Sequence, residues 1–268
     1  QRQMCIRDRA LVVWWVRRRL PESPRWLAQQ GRLNEADAVM TRIEARVEQE
    51  YGKPLPTPAL PEPVRAHASF RDLLVAPYRK RIVMLIIFHV FQTMGYYGFA
   101  NWIPTLLIKQ GVTVTNSLMY ASIIAIAAPL GPLFGMLIAD RFERKTVIIV
   151  MAVVNVACGL MFSQARETIL LVSLGVCLVL AGNIISFSYH AYQAELFPTS
   201  IRARAVGFVY SWSRISAMFS AFVIAWCLKE FGVSGVFVFI SGAMIVVICA
   251  IAILGPKTRN VALENIST

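Results

Sequence analysis

A single arginine interrupts the long apolar run near the end of the chain. Arg214 lies in GFVYSWSRISAMFSAFVIAWCLKEF, about nine residues from the nearer polar boundary. A helix rises 1.5 Å per residue, so this position is roughly 14 Å deep in a hydrocarbon layer about 30 Å thick. An arginine there costs at least about 2.5–3.5 kcal/mol and normally faces a cavity or a charged partner. A guanidinium binds a carboxylate through two parallel hydrogen bonds, so Arg214 is a candidate anion-binding residue, with a structural ion pair as the alternative.

Polar residues recur at helical spacing in a second apolar run. Asn183, Ser186 and His190 occupy positions i, i+3 and i+7, which lie on one face of a helix. We expect this face to line a cavity, where His190 is suited to carrying a proton near neutral pH. Hydrogen bonding between helices, which Asn and Ser commonly make in bundles, is the alternative.

Two further groups of residues are candidates for the same cavity. Gln92 and Tyr96 share a helix face, and the rings of Tyr96 and Tyr97 can stack on a flat substrate, with ordinary packing as the alternative. Ser211 lies one turn from Arg214 on the same face. The predicted binding residues are Arg214, Gln92, Tyr96, Tyr97, Asn183, Ser186, His190 and Ser211.

Long apolar runs carry all of these residues. The chain has 268 residues, of which 57% are hydrophobic and 16% charged. Soluble domains average about 45–50% and about 25%, so the composition indicates a membrane protein. We predict an all-α membrane protein with a six-transmembrane-helix bundle over residues 81–254. The predicted spans are 82–108, 116–138, 146–164, 168–194, 205–228 and 233–254.

The positive charges lie between the apolar runs. The net charge is +12, but no single basic face gathers it, which argues against a nucleic-acid partner. If the long polar segment is inside, 20 Lys and Arg residues are inside and three are outside. This asymmetry predicts a multi-pass protein of the plasma (cell inner) membrane, with the 17–80 loop and the 255–268 tail in the cytoplasm.

The first residues have a different character. QMCIRDR, within residues 1–9, is similar to a translated sequencing adapter, so we exclude these residues as a scar. Residues 10–16 (ALVVWWV) are too short to span a bilayer, which indicates the end of a truncated helix or, alternatively, a short amphipathic segment. The 17–80 loop carries short helices, one of which Asn34 is expected to cap and which runs to about residue 50.

Signatures of catalysis and of bound metal are not found in the sequence. There is no phosphate-binding loop, no metal-ligand spacing and no nucleophile–base pattern, so we expect neither an enzyme nor a cofactor. Cys158, Cys177, Cys227 and Cys249 lie in apolar runs without a CxxC pair and are expected to be packing residues.

Three sequence motifs lie at the ends of apolar runs that the predicted topology places on the cytoplasmic side. They are PESPRWL at 21–27, GMLIADRFERK at 135–145 and AELFPTSIRARAVGF at 194–208. Together they resemble the major facilitator superfamily of secondary transporters. The resemblance implies that the six spans are the second half of a twelve-helix fold and that the partner half is missing from this chain.

Within that superfamily, the chain resembles the sugar-porter-related branch that includes organic-ion and niacin-type carriers. FQTMGYYGFANWIP keeps Gln92 but lacks the other polar residues typical of sugar porters, and SFSYH replaces a Gly-Pro-x-Pro-Trp signature. The resemblance implies alternating-access transport of a small organic solute, with an organic or aromatic acid favoured over other solutes. It also implies that transport is coupled to protons. A sugar transporter and a non-transporting receptor or scaffold on the same fold are the alternatives.

The resemblance also assigns a role to charged residues at the predicted inner ends of the spans. These residues would form ion pairs that close in the outward-facing state and break as the two halves rock. The implied gating residues are Asp140, Arg141, Arg144, Glu195, Arg202 and Arg204.

Overall fold

A computed structural model describes residues 17, 20–52, 78–139, 141–256 and 258. The predicted scar at 1–9, the helix stub at 10–16, Asp140 and most of the tail lie outside the described residues. The chain divides into two compact units, residues 1–66 and 67–268, which are described separately.

The first unit contains two surface helices. Helix α1 is Pro24–Gln29 and helix α2 is Leu33–Tyr51. Pro24 suits the first turn, where its missing N–H is not needed. Arg32, rather than the expected Asn34, precedes α2, and its guanidinium forms a 2.6 Å ion pair with Glu35 in the first turn. This guanidinium holds the pKa of the exposed Glu35 carboxyl below its usual value.

The regular secondary structure in the described part of the second unit consists of helices. Its helices are α3 Tyr78–Ala100, α4 Ile103–Lys109, α5 Val114–Ala139, α6 Arg144–Gln164, α7 Thr168–Glu195 and α8 Thr199–Leu254. The predicted first span, 82–108, is therefore two helices, because the backbone turns at residues 101–102. Pro104 follows in the first turn of α4, a position that tolerates the missing N–H.

Helix α8 folds back on itself at Gly232. Its 56 residues would extend roughly 84 Å if straight, but Gly232 has φ 67° and ψ −163°, a region that only glycine adopts readily. A Cβ placed on Gly98 would lie 2.9 Å from Ile224 and 3.6 Å from Ile240. On a straight helix, these two isoleucines would be roughly 24 Å apart. Helix α8 therefore consists of a first arm (199–231) and a second arm (233–254), which contain the last two predicted spans.

Five helices among the described residues are long and apolar enough to cross a membrane. They are α3, α5, α6, α7 and residues 201–254 of α8, the last of which contains both arms. The predicted all-α fold is thus confirmed for the described residues, and the chain is a multi-pass membrane protein.

Close packing between helices holds the bundle together. A Cβ on Gly131 would lie 2.4 Å from the Cβ of Asn183, and one on Gly135 would lie 2.7 Å from the ring of Phe187. Helix α5 can approach α7 this closely because glycine has no side chain at either position. Two buried clusters fill the remaining interior, one around Phe88 and Tyr189 and one around Phe162 and Phe237.

Candidate functional site

A cavity of about 230 Å³ lies between α3, α7 and the first arm of α8. Each helix contributes one face, because lining positions recur at intervals of three or four residues. Helix α3 contributes Phe88, His89, Gln92, Thr93, Tyr96 and Tyr97. Helix α7 contributes Ser186, Tyr189 and His190, and the first arm contributes Tyr210, Ser213 and Arg214.

Six of the eight predicted binding residues meet in this lining. They are Gln92, Tyr96, Tyr97, Ser186, His190 and Arg214. They come from three helices that are far apart in sequence, so helical spacing alone gave no information on whether their faces meet. The cavity combines aromatic rings, hydrogen-bonding groups and one cation, which suits a small, flat, negatively charged solute.

Arg214 is oriented by its neighbour one turn earlier. Its guanidinium donates a hydrogen bond to the Tyr210 hydroxyl and lies over the Tyr210 ring, 4.8 Å from the ring centre. No carboxylate in the described part of the chain is within ion-pair distance of Arg214. The remaining N–H groups of this cation can therefore bind an anion in the cavity.

A buried histidine forms part of the cavity wall. His89 is 3% exposed, and its Nε2 lies 2.8 Å from the Tyr189 hydroxyl. The ring of Phe88 stacks on that of Tyr189 with centres 3.7 Å apart and planes 7° from parallel. His89 was not among the predicted binding residues, although it lies one turn before Gln92. A histidine in an apolar helix was the available signal.

The second histidine of the cavity wall, His190, is oriented by Gln193. Gln193, which is 3% exposed, lies with its Nε2 3.0 Å from Nδ1 of His190. This contact fixes the orientation of the His190 ring in the cavity wall. Gln193 was not among the predicted residues, although it follows His190 by one helical turn.

Two predicted binding residues lie outside the cavity lining. Asn183 donates a hydrogen bond from Nδ2 to the carbonyl of Val179 at 2.8 Å and packs against Gly131 of α5. Ser211 donates to the carbonyl of Phe208 at 2.7 Å and is exposed. Both side chains bond to their own helices, and of the residues one turn before Arg214 it is Tyr210 that contacts its guanidinium.

Three of the predicted gating residues, Arg144, Glu195 and Arg202, lie at one end of the bundle, here named the Glu195 end. The Nε of Arg144 is 2.7 Å from Oε1 of Glu195, and both side chains are about one-quarter exposed. Arg202 donates from Nε to the carbonyl of Phe197 at 3.2 Å. Asp140 lies outside the described residues, and the gating role stays a prediction.

Arg141 and Arg204, also predicted to take part in gating, flank this end in sequence. Arg141 lies in the turn before α6, and Arg204 is an exposed residue in the first arm of α8. Neither contributes to the cavity lining. Sequence reasoning missed Arg81, which donates from Nη1 to the carbonyl of Leu196 at 2.8 Å, beside the predicted residue Glu195.

The segment after the second arm is bound to two other helices at the Glu195 end. Lys145 donates from Nζ to the carbonyls of Ala252, at 2.9 Å, and Gly255, at 2.7 Å. Tyr192 donates to the carbonyl of Pro256 at 2.8 Å. The amide of Thr258 donates to Oε1 of Glu143 at 2.8 Å.

No group of three or more His, Cys, Asp and Glu side chains among the described residues is arranged to hold a metal ion. The chemistry available in the cavity is therefore that of aromatic rings, amides, hydroxyls, imidazoles and a guanidinium.

Comparisons with known proteins agree with this arrangement. The family described as "Sugar (and other) transporter" matches residues 9–268. YyaJ of Bacillus subtilis (strain 168), by its name a candidate metabolite transport protein, is 34% identical over 93% of this chain and 56% of its own length. The niacin transporter NiaP of Acinetobacter baylyi is 27% identical over 96% of this chain and 58% of its own length. The chain thus spans little more than half the length of these relatives.

A solved structure has a similar fold. The proton:xylose symporter XylE, of the major facilitator superfamily, aligns with a TM-score of 0.68 and 18% identity, covering 96% of this chain and 56% of that one. The fold agrees with the match of a transporter family over nearly the whole sequence. The chain therefore belongs to the sugar (and other) transporter family.

Proposed function

We propose that this chain is the substrate-binding half of a secondary transporter that moves a small organic acid across a membrane by alternating access. The observation that carries the proposal is the position of Arg214 in the cavity. Arg214 is near the middle of the first arm (199–231), and His89 is at the middle of α3, so the cavity lies at mid-depth of the helices. Carriers of this kind bind their substrates near the bilayer midplane.

The substrate class follows from the chemistry of the lining. Arg214 supplies the charge for a carboxylate, while Tyr96 and Tyr97 supply aromatic surfaces whose rings are 5.4 Å apart and nearly perpendicular. One relative is named for niacin, which agrees with an aromatic acid. We therefore propose a flat organic or aromatic carboxylate as the substrate, rather than a sugar.

Proton coupling is part of the same proposal. No Asp or Glu is among the residues that line the cavity, so a proton bound within the described lining would be carried by a histidine. His190 is exposed to the cavity and is oriented by Gln193. We propose His190 as the proton-carrying group of this half.

A second helical half completes the proposed transporter. Arg214 is exposed in this chain, and the chain spans 56% of YyaJ. We propose that the partner half closes the cavity over Arg214 and that no chemical reaction of the solute takes place. The excess of Lys and Arg in the long loop and the tail favours a cytoplasmic location for both, in the plasma (cell inner) membrane.

Uptake by the full-length parent protein tests the role of Arg214. We expect Arg214→Ala to weaken transport of an aromatic carboxylate at least about tenfold, since a charge-assisted hydrogen bond contributes about 1.5–3 kcal/mol. Arg214→Lys should lose less, because it keeps the charge but not the two-pronged geometry. Lys229→Ala, which removes an exposed cation outside the cavity, is the matched control.

Three results would contradict the proposal. Unchanged carboxylate affinity in both Arg214 variants would remove its anion-binding role. Competition by pentoses or hexoses but not by aromatic carboxylates would favour the sugar transporter. Binding without accumulation in proteoliposomes would favour a receptor on the same fold.

A further inference from the structure

Two cysteine side chains meet between α6 and α7, away from the cavity. The Sγ atoms of Cys158 and Cys177 lie 3.4 Å apart, and both are free thiols of intermediate exposure. Neither residue lines the cavity. We propose that this pair is a modification site, which a two-electron oxidant of the azodicarboxamide or quinone class converts into a disulfide.

The two helices are in contact next to the pair. Asn155 of α6 donates a hydrogen bond to the carbonyl of Leu178 of α7, with an N···O distance of 3.5 Å. A Cβ on Gly182 would lie 3.8 Å from Nδ2 of Asn155, and one on Gly159 would lie 4.0 Å from Leu178. The two cysteines therefore lie where α6 and α7 are in contact.

The remaining distance is short. An S–S bond is about 2.05 Å long, so the sulfurs, now 3.4 Å apart, must approach by only about 1.4 Å. Holding two reacting groups in contact replaces a slow encounter with a fast local step, and this compensates for the low reactivity of thiols in apolar surroundings.

The two thiols and the added oxidant are the only reactants that the reaction needs. Each thiol loses its hydrogen, and the new bond joins Sγ of Cys158 to Sγ of Cys177. The two protons and two electrons pass to the oxidant, whose N=N double bond becomes N–N, or whose quinone becomes a hydroquinone. A thiol reductant reverses the change by exchange.

Two other cysteines serve as internal references. Cys227 is within one turn of Ile224 in the first arm, and Ile224 faces Ile240 of the second arm near Gly98. Cys249 is nine residues beyond Ile240, roughly 13 Å further along the second arm. These two thiols are thus too far apart to form a disulfide within the folded bundle.

The sequence provides a direct readout. The exposed Arg166 lies in the turn between the two cysteines, so trypsin separates them into peptides 146–166 and 167–202. The folded protein is treated with diamide, blocked with N-ethylmaleimide, digested and analysed by mass spectrometry. We expect the two peptides to be linked, two hydrogens lighter than the separate thiol peptides, and to separate on reduction.

Yield and variants give the test its controls. The link should exceed any link to Cys227 or Cys249 by at least about tenfold, because only the first pair is held in contact. Cys158→Ser and Cys177→Ser should each abolish it, and the Cys227→Ser/Cys249→Ser double variant should retain it. Recovery of both peptides with alkylated thiols after oxidation would overturn the proposal, as would equal yields of all pairings. The wild-type comparison alone decides the question if a serine variant does not fold.

Discussion

The side chain of Arg214 is held in its orientation by contacts within the protein. Its guanidinium is hydrogen-bonded to the hydroxyl of Tyr210 and lies over the ring of the same residue. A cation held by its neighbour loses less rotational freedom when an anion binds, so more of the interaction energy contributes to affinity. Tyr210 is therefore a positioning residue for Arg214 in the proposed transporter.

Substitution of Tyr210 separates its two contributions. Tyr210→Phe keeps the ring below the guanidinium and removes the acceptor, so we expect anion affinity to fall about threefold to tenfold, since a net hydrogen bond contributes about 0.5–1.5 kcal/mol. Tyr210→Leu removes both contacts and should lose more. Binding of a carboxylate, compared with its uncharged amide, is measured by calorimetry on the full-length parent.

Tyr120→Phe is the matched control, because this tyrosine of α5 does not line the cavity. Equal losses for the carboxylate and the amide in Tyr210→Phe would contradict a role through Arg214 and indicate a general change in cavity shape.

At the scale of elements, the sequence predicts which residues share a helix face, but not which neighbouring helix that face contacts. Apolar length predicted the spans, and the four-residue spacing of Ser186 and His190 predicted a shared face. The spacing could not tell that Asn183, on the same stripe, turns toward α5, since the packing partner of a helix decides which part of its face is buried. The break between α3 and α4 was missed because the run from 82 to 108 remains apolar across it.

The contact between α5 and α7 gives a prediction about stability. Gly131→Ala would place a methyl group 2.4 Å from the Cβ of Asn183, so the helices must separate. We expect a loss of about 1–3 kcal/mol, the usual cost of overpacking, seen as a lower unfolding temperature by circular dichroism.

Gly207→Ala is the opposite case. A Cβ at this helical position of α8 meets nothing within 4 Å, so alanine should be neutral or stabilising by up to about 1 kcal/mol. Equal destabilisation by the two variants would contradict a packing role for Gly131 and indicate a general intolerance to changes in the bundle.

At the scale of the whole molecule, the cavity and the Glu195 end share helix α7. His190 lies in the cavity wall, and Glu195 lies five residues later, roughly 7.5 Å along the helix, in its ion pair with Arg144. A change at the ion pair can thus reach the cavity through one rigid element. Oε2 of Glu195 is buried and has no hydrogen-bond partner among the described residues, so this carboxylate depends on Arg144 for its compensation.

Neutralising Glu195 tests the gating hypothesis. We expect Glu195→Gln to shift the full-length transporter toward the inward-facing state, because the amide cannot form the charged contact with Arg144. Arg144→Gln should produce the same shift. Distances between spin labels on the two halves report the populations, and Glu167→Gln, at the opposite end of α7, is the control.

The outcome also distinguishes gating from substrate binding. If Glu195→Gln keeps its outward-facing population but binds substrate more weakly, the carboxylate belongs to the binding site instead. Such a result would remove the gating role proposed for the ion pair.

The contacts of the segment after the second arm have a practical consequence for engineering the protein. A version truncated after Leu254 would remove one of the two carbonyls bound by Lys145, the acceptor of Tyr192 and the amide bound by Glu143. Affinity tags and fluorescent fusions therefore belong beyond residue 258. A shorter chain would release the end of the last helix from α6 and α7. Any loss of transport that follows would come from the truncation and not from the binding site.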